Sequence, residues 1–186
     1  MKTTANVKTS YVDLWISSLT KPVDTFSSEN GKGNKTKIAV NVFFASVIVV
    51  LGSTLAQLRT FDLIAALLAV ISGTLMTVFV GGIFFVLARI LGGKSSFENQ
   101  LYLTTLFSVP IALLNSIVIL IPIVGNWLGL VLLIYLAYLL TLSLKEAHAL
   151  STLKAVATWL ISVVILTVLM IVITYFYYGS LTPLSA

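Results

Sequence analysis

Five long apolar runs separated by short polar stretches dominate the chain, at 38–58, 61–91, 101–124, 127–144 and 155–178. A helix needs roughly 20 apolar residues to cross a hydrocarbon core of about 30 Å. A barrel strand would alternate apolar and polar positions. These runs are continuous, so the pattern predicts helices, whose backbone polar groups are satisfied within each segment. The second run would be about 46 Å long as one helix at 1.5 Å per residue. That is too short for two spans and longer than one. It is expected either to project beyond the bilayer or to bend near Gly81-Gly82. Pro110 lies inside the third run and leaves the carbonyl four residues earlier without its helical donor. Pro122, Gly125 and Asn126 predict a tight turn before the fourth.

Ahead of these runs, residues 1–10 are polar. Over 11–19, Tyr11, Val12, Trp15, Ile16 and Leu19 recur on one helical face, with Asp13, Ser17 and Thr20 opposite. A short amphipathic helix of this kind suits the headgroup plane. Pro22 can open a second short helix, because proline is tolerated at the first helical position. The stretch 27–37 (SSENGKGNKTK) predicts a polar linker. The organisation expected is an amino-terminal segment with an interfacial helix (1–37), a five-span membrane domain (38–178) and a short tail (179–186).

Composition agrees with the pattern. Of the 186 residues, 59% are hydrophobic and 9% charged, with a mean hydropathy of +1.09. A soluble domain is typically about 45–50% apolar and about 25% charged, so an all-α integral membrane protein is expected. No run before Ile38 predicts a cleavable signal. There are no cysteines for disulfide or thiolate chemistry, and the single histidine excludes a multi-histidine metal site within one chain.

Charge sets the expected orientation. Under five spans, Lys2, Lys8, Lys21, Lys32, Lys35, Lys37, Arg89, Lys94, Lys145 and Lys154 fall on one side, and only Arg59 on the other. Basic residues near span ends stay in the cytoplasm. The reading is a multi-pass protein of a cell membrane, amino terminus cytoplasmic and carboxyl terminus outside. The net charge of +5 is thereby assigned to anionic headgroups and not to nucleic acid.

Candidate chemistry is sparse. Ionisable groups at membrane depth are costly and normally functional, and the pattern puts every charge near a span end, so no enzyme, cofactor or metal is expected. Ala65, Ala69, Gly73, Thr77 and Gly81 recur every four residues, a small-residue stripe predicted to be a helix-packing seam. In the third run Thr104, Ser108, Ile111 and Asn115 share a face beside Pro110. These could line a path, or Asn115 could hydrogen-bond a neighbouring helix. At the lysine-rich end Glu98, Asn99 and Gln100 precede the third run, while Lys145, Glu146, His148 and Lys154 lie between the last two. They predict a polar rim, read as an interhelical ion-pair network or a partner site.

Three stretches carry a family resemblance: GGKSSFENQLYLTTLFSVPIALL (92–114), IPIVGNW (121–127) and LKEAHALSTLKA (144–155). Together with LTKPVDTF (19–26), they resemble the Yip1 domain family in its short, prokaryotic-type form. The resemblance implies a five-span fold with a cytoplasmic amino terminus, and marks Glu98, Lys145, Glu146, His148 and Lys154 as family-defining without assigning them chemistry. Eukaryotic relatives act in vesicle trafficking and bind small GTPases through a long amino-terminal region. Here the first span begins at Ile38, so the resemblance does not extend a small-GTPase partner to this chain. The function expected is non-enzymatic organisation or shaping of membrane, through lipid contacts and self-association into a homo-oligomer. The alternative is a small channel, transporter or lipid-translocating protein with a path beside the third span.

Overall fold

A computed structural model describes residues 10–57, 61–121 and 124–179. They form eight helices and, among the described residues, no strand. Two short helices come first, α1 (Tyr11–Thr20) and α2 (Pro22–Glu29), followed by α3 (Lys35–Ala56), α4 (Leu63–Ile90), α5 (Phe97–Leu106), α6 (Ser108–Val118), α7 (Val124–His148) and α8 (Thr152–Gly179). Counting α5 and α6 as one span, five segments are long and apolar enough to cross a membrane. Arg59 and Pro122, which figured in the charge count and the predicted turn, lie outside the described residues.

For the second run the structure decides between the two alternatives, and two features of the third differ from expectation, for physical reasons. α4 passes unbroken through Gly81-Gly82 over 28 residues, or about 42 Å, so no bend relieves its length. The third span opens at Phe97 because Ser96 caps it, its Oγ accepting from the Asn99 N–H at 3.2 Å. Polar Glu98, Asn99 and Gln100 are therefore helical. Pro110 falls in the first turn of α6, where no intrahelical donor is required. The break sits at Phe107 instead, and the Ser108 hydroxyl donates to the Thr105 carbonyl there.

α5 is the hub of the bundle. Asn99, Gln100, Leu101, Tyr102, Leu103, Thr105 and Leu106 are all buried, against α3, α4 and α7. α6 packs closely on α3, where a Cβ on Gly52 would lie 2.3 Å from Ser116 Oγ. α8 bridges α4 and α7, which scarcely touch each other. Buried residues concentrate at the lysine-rich end, where the chain ends of neighbouring spans converge. The Lys94 N–H donates to the His148 carbonyl at 3.3 Å and Lys154 Nζ to the Leu91 carbonyl at 2.9 Å. Towards the opposite end packing loosens, and between Val163 and Tyr177 every residue of α8 except Leu166 is exposed.

The amino-terminal helices do not lie flat across the bundle end. They form a hairpin running alongside the spans. At its open end Glu29 meets Tyr102 and Asn30 meets the Glu146 carbonyl. Farther in, Phe26 packs edge-on against Phe107 at 5.9 Å. Nearest the turn, the Leu19 carbonyl accepts from the Tyr135 hydroxyl. Tyr135 lies on the order of 20 Å along α7 from His148, so the hairpin covers roughly half the length of that helix. The amphipathic face predicted for α1 is accordingly split. Trp15 and Leu19 pack on protein, with Trp15 Nε1 donating to Asn41 Oδ1 at 2.9 Å, while Val12 and Ile16 stay exposed.

Candidate functional site

The densest polar chemistry lies at the lysine-rich end, in three linked networks around α5. The first holds the hairpin. Glu29 is buried at the end of α2 and accepts from Tyr102 Oη at 2.6 Å, Lys37 Nζ at 3.1 Å and Lys32 Nζ at 3.0 Å. Lys37 also stands over the Tyr102 ring, 4.8 Å from its centroid. Burial pushes the Glu29 carboxyl up, but hydrogen bonds from Tyr102, Lys32 and Lys37, with the charge of Lys37, outweigh that and hold it below its ordinary value. The group is a bound carboxylate with its donors supplied.

The second network joins the hairpin exit to two spans. Asn99 Nδ2 donates to Asn30 Oδ1 at 2.7 Å and Ser95 Oγ at 3.0 Å, and its Oδ1 accepts from the Gly31 N–H at 2.7 Å. Asn30 Nδ2 in turn donates to the Glu146 carbonyl at 2.8 Å. Gly31 has φ +82°, a left-handed conformation glycine adopts without steric cost. At Gly33 a side chain is excluded by proximity, since a Cβ would stand 2.8 Å from Asn99 Cα.

The third network surrounds His148. Its Nδ1 accepts from the Ser95 N–H at 3.3 Å, so Nε2 carries the proton and donates to Gln100 Oε1 at 2.7 Å. Gln100 Nε2 continues to the Gly81 carbonyl at 3.0 Å. A neutral histidine thus ties α4, α5 and α7 together, with Gly93 so close that a Cβ there would be 2.5 Å from Nδ1. Both ring nitrogens are engaged within the protein, which leaves neither for a substrate or metal. Among the described residues, no group of three or more His, Cys, Asp or Glu side chains could hold a metal ion.

The predicted rim residues do converge, but hydrogen bonds and not ion pairs join them. Glu98 faces Lys35 at 3.9 Å and is half exposed. Among the described residues no ion pair includes Lys145, Glu146 or Lys154. Lys145 and Glu146 contribute through backbone carbonyls, to the Leu150 N–H and to Asn30, and the Lys154 ammonium caps α4. Neutral amide and imidazole contacts thus join Asn99, Gln100 and His148, while the ion pairs of this end centre on Glu29, with Lys32 and Lys37, and not on the predicted rim residues. Sequence reasoning missed Glu29 and Tyr102, and read Gln100 only as part of a loop.

A second feature lies within the spans. A cleft of about 800 Å³ opens between α4 and α7, floored by the broken third span. Thr104, Ser108, Ile111 and Asn115 all line it, whereas Pro110 does not. Asn115 is exposed, and among the described residues nothing hydrogen-bonds its carboxamide, so the expected bond to a neighbouring helix is absent. The small-residue stripe is only partly a seam. Gly81 is buried under Leu101, where a Cβ would stand 2.7 Å from Cδ1, Gly73 faces Ser46 of α3, where a Cβ would stand 3.5 Å from its Oγ, and Gly73 and Thr77 also line the cleft. Ala65 and Ala69 are exposed.

No curated protein and no solved structure matches the chain. A family model does, over residues 16–174, which takes in the second half of α1, the hairpin latch, the His148 network, four spans whole and most of the fifth. The matched range takes in helices from all five segments long and apolar enough to cross a membrane and the polar networks at their lysine-rich end, and this multi-pass membrane protein belongs to the Yip1 domain family.

Proposed function

We propose that the protein is a non-enzymatic membrane organiser that shapes the bilayer as a wedge, with its lysine-rich end in the cytoplasm. One observation carries this reading: seven helices share the cross-section at the lysine-rich half, where the hairpin is latched alongside, and only five segments continue to the other end. Extra protein area in one leaflet favours bending of the sheet towards the opposite side. The basic residues at that end attract anionic headgroups and would hold the wide half in the cytoplasmic leaflet. The engaged ring nitrogens of His148 and the bound Glu29 carboxylate support a structural role for the polar networks. A transport path receives less support, because Leu101 on Gly81 and the Gln100 bond to the Gly81 carbonyl close the cleft towards the lysine-rich end.

Reconstitution into vesicles tests the reading. Wild-type protein at rising protein-to-lipid ratio is expected to give narrower or tubular vesicles in electron micrographs. Phe26→Asp, which unseats the hairpin from Phe107, is expected to give much less. Vesicles indistinguishable from protein-free controls at every ratio would sink the proposal.

A further inference from the structure

The cleft between α4 and α7 has the properties of a ligand site that the wedge reading does not use. It extends along the third span from Leu101 to Asn115, on the order of 21 Å at the helical rise. One leaflet of hydrocarbon is about 15 Å deep, so the cleft reaches past the bilayer midplane. Its closed end lies at the Gly81–Leu101 contact. Its other end lies near Asn115, three residues before α6 stops at Val118, close to the headgroup level opposite the lysines. The side walls are membrane-spanning helices, so the surrounding medium is lipid.

The polar groups inside are of two kinds. Thr77, Thr104, Thr105 and Ser108 each donate to a carbonyl of their own span, at Gly73, Gln100, Tyr102 and Thr105. Their hydrogens are already committed, and the remaining lining is largely apolar. That suits a hydrocarbon chain, whose dispersion contacts would replace those an open groove lacks. Asn115 differs, because its NH2 group has no partner within the protein among the described residues. An exposed carboxamide with its donors uncommitted is free to bond a group outside the protein. An ester carbonyl or phosphate oxygen at that depth would satisfy it.

We infer that this cleft binds one acyl chain of a phospholipid from the leaflet opposite the lysine-rich end, with the Asn115 carboxamide donating to the lipid's ester or phosphate oxygen. The chain lies against the third span, and the lipid's second chain stays in the bilayer. The site would act as a fixed lipid position and not as a conduit, because its inner end is closed. The inference stands or falls separately from the wedge.

The test is lipid retention by the full chain. Protein exchanged into detergent with added phosphatidylcholine, then washed until surface lipid is stripped, is weighed by native mass spectrometry. Wild type is expected to keep one phosphatidylcholine per chain. Gly129→Phe fills the cleft from α7, where a Cβ would meet only Val118 at 4.0 Å. Asn115→Leu removes the donor without breaking a bond inside the protein. Each is expected to lower retention about tenfold, while Leu67→Phe, on an exposed stretch of α4 away from the cleft, leaves it unchanged. Wild type free of lipid, or Asn115→Leu as well loaded as wild type, overturns the inference even where Gly129→Phe fails to fold. A retained free fatty acid in place of the phospholipid would overturn the headgroup assignment.

Discussion

Glu29 shows how a carboxylate is made tolerable inside this protein. Three donors from α3, α5 and the hairpin exit converge on it, and its carboxyl is held below the ordinary value of 4.5. A group whose pKa is depressed by folding stabilises the native state above its unfolded pKa, and that contribution fades as pH falls through the folded value. The hairpin should therefore stay docked at neutral pH and loosen in acid, below pH 4.5. Because the chain contains no cysteine, a single nitroxide at Val23→Cys reports this directly as a rise in mobility on acidification. In a Glu29→Gln background the label is expected to be mobile at neutral pH and to lose most of its pH response. A label equally immobile in both proteins would refute the latch. None of this was legible in 27–37, which reads as a polar linker because Glu29's partner Tyr102 lies 73 residues away. Gln100 was hidden similarly, since its partner His148 is 48 residues distant.

The spans themselves were legible because each must be apolar along its length to lie in hydrocarbon. Where a segment is surrounded by protein, hydropathy loses that grip. α5 is the clearest case: its first turn contains Asn99 and Gln100, and burial against α3, α4 and α7 lets these polar side chains occupy a span. The Pro110 break was visible as a break but not as a position, since the proline occupies the new first turn and Phe107 carries the irregularity. Glycines at the helix contacts separate the two kinds of constraint. A Cβ at Gly82 would meet nothing within 4 Å, whereas one at Gly33 would stand 2.8 Å from Asn99 Cα and 3.0 Å from the Glu98 carbonyl. Gly82→Ala should leave stability unchanged or raise it by up to about 1 kcal/mol, from helix propensity alone. Gly33→Ala should cost about 1–3 kcal/mol by forcing the hairpin exit off α5. Thermal unfolding midpoints in one detergent give the comparison, and equal midpoints for the two variants would contradict the packing described.

At the scale of the whole molecule, the described basic residues at the span ends, Lys35, Lys37, Arg89, Lys94, Lys145 and Lys154, gather at one end, whereas Lys21 sits at the hairpin turn away from it, and Lys2, Lys8 and Arg59 lie outside the described residues. Single-cysteine probes test this with an impermeant thiol reagent on sealed cells. Lys35→Cys and Lys145→Cys should both be labelled only after permeabilisation, and Asp62→Cys, at the start of α4, without it. Lys35 and Lys145 reporting different sides would break the five-span topology. The hairpin was beyond the reach of hydropathy, because its docking depends on isolated contacts such as Phe26 on Phe107 and Leu19 on Tyr135. It has a consequence for the protein's surroundings. Exposed Lys21 and Asp24 sit beside the hairpin turn, level with the middle of α7, whereas α4 and α8 present about 42 Å of greasy wall elsewhere on the perimeter. The bilayer therefore meets a rim of uneven height, thin beside the hairpin and thick beside α4 and α8. Such mismatch is relieved by tilting or by local thinning, and copies that share a thinned patch would lower its total edge. Neighbouring molecules would thus be drawn side by side, hairpin towards hairpin, with no binding surface between them.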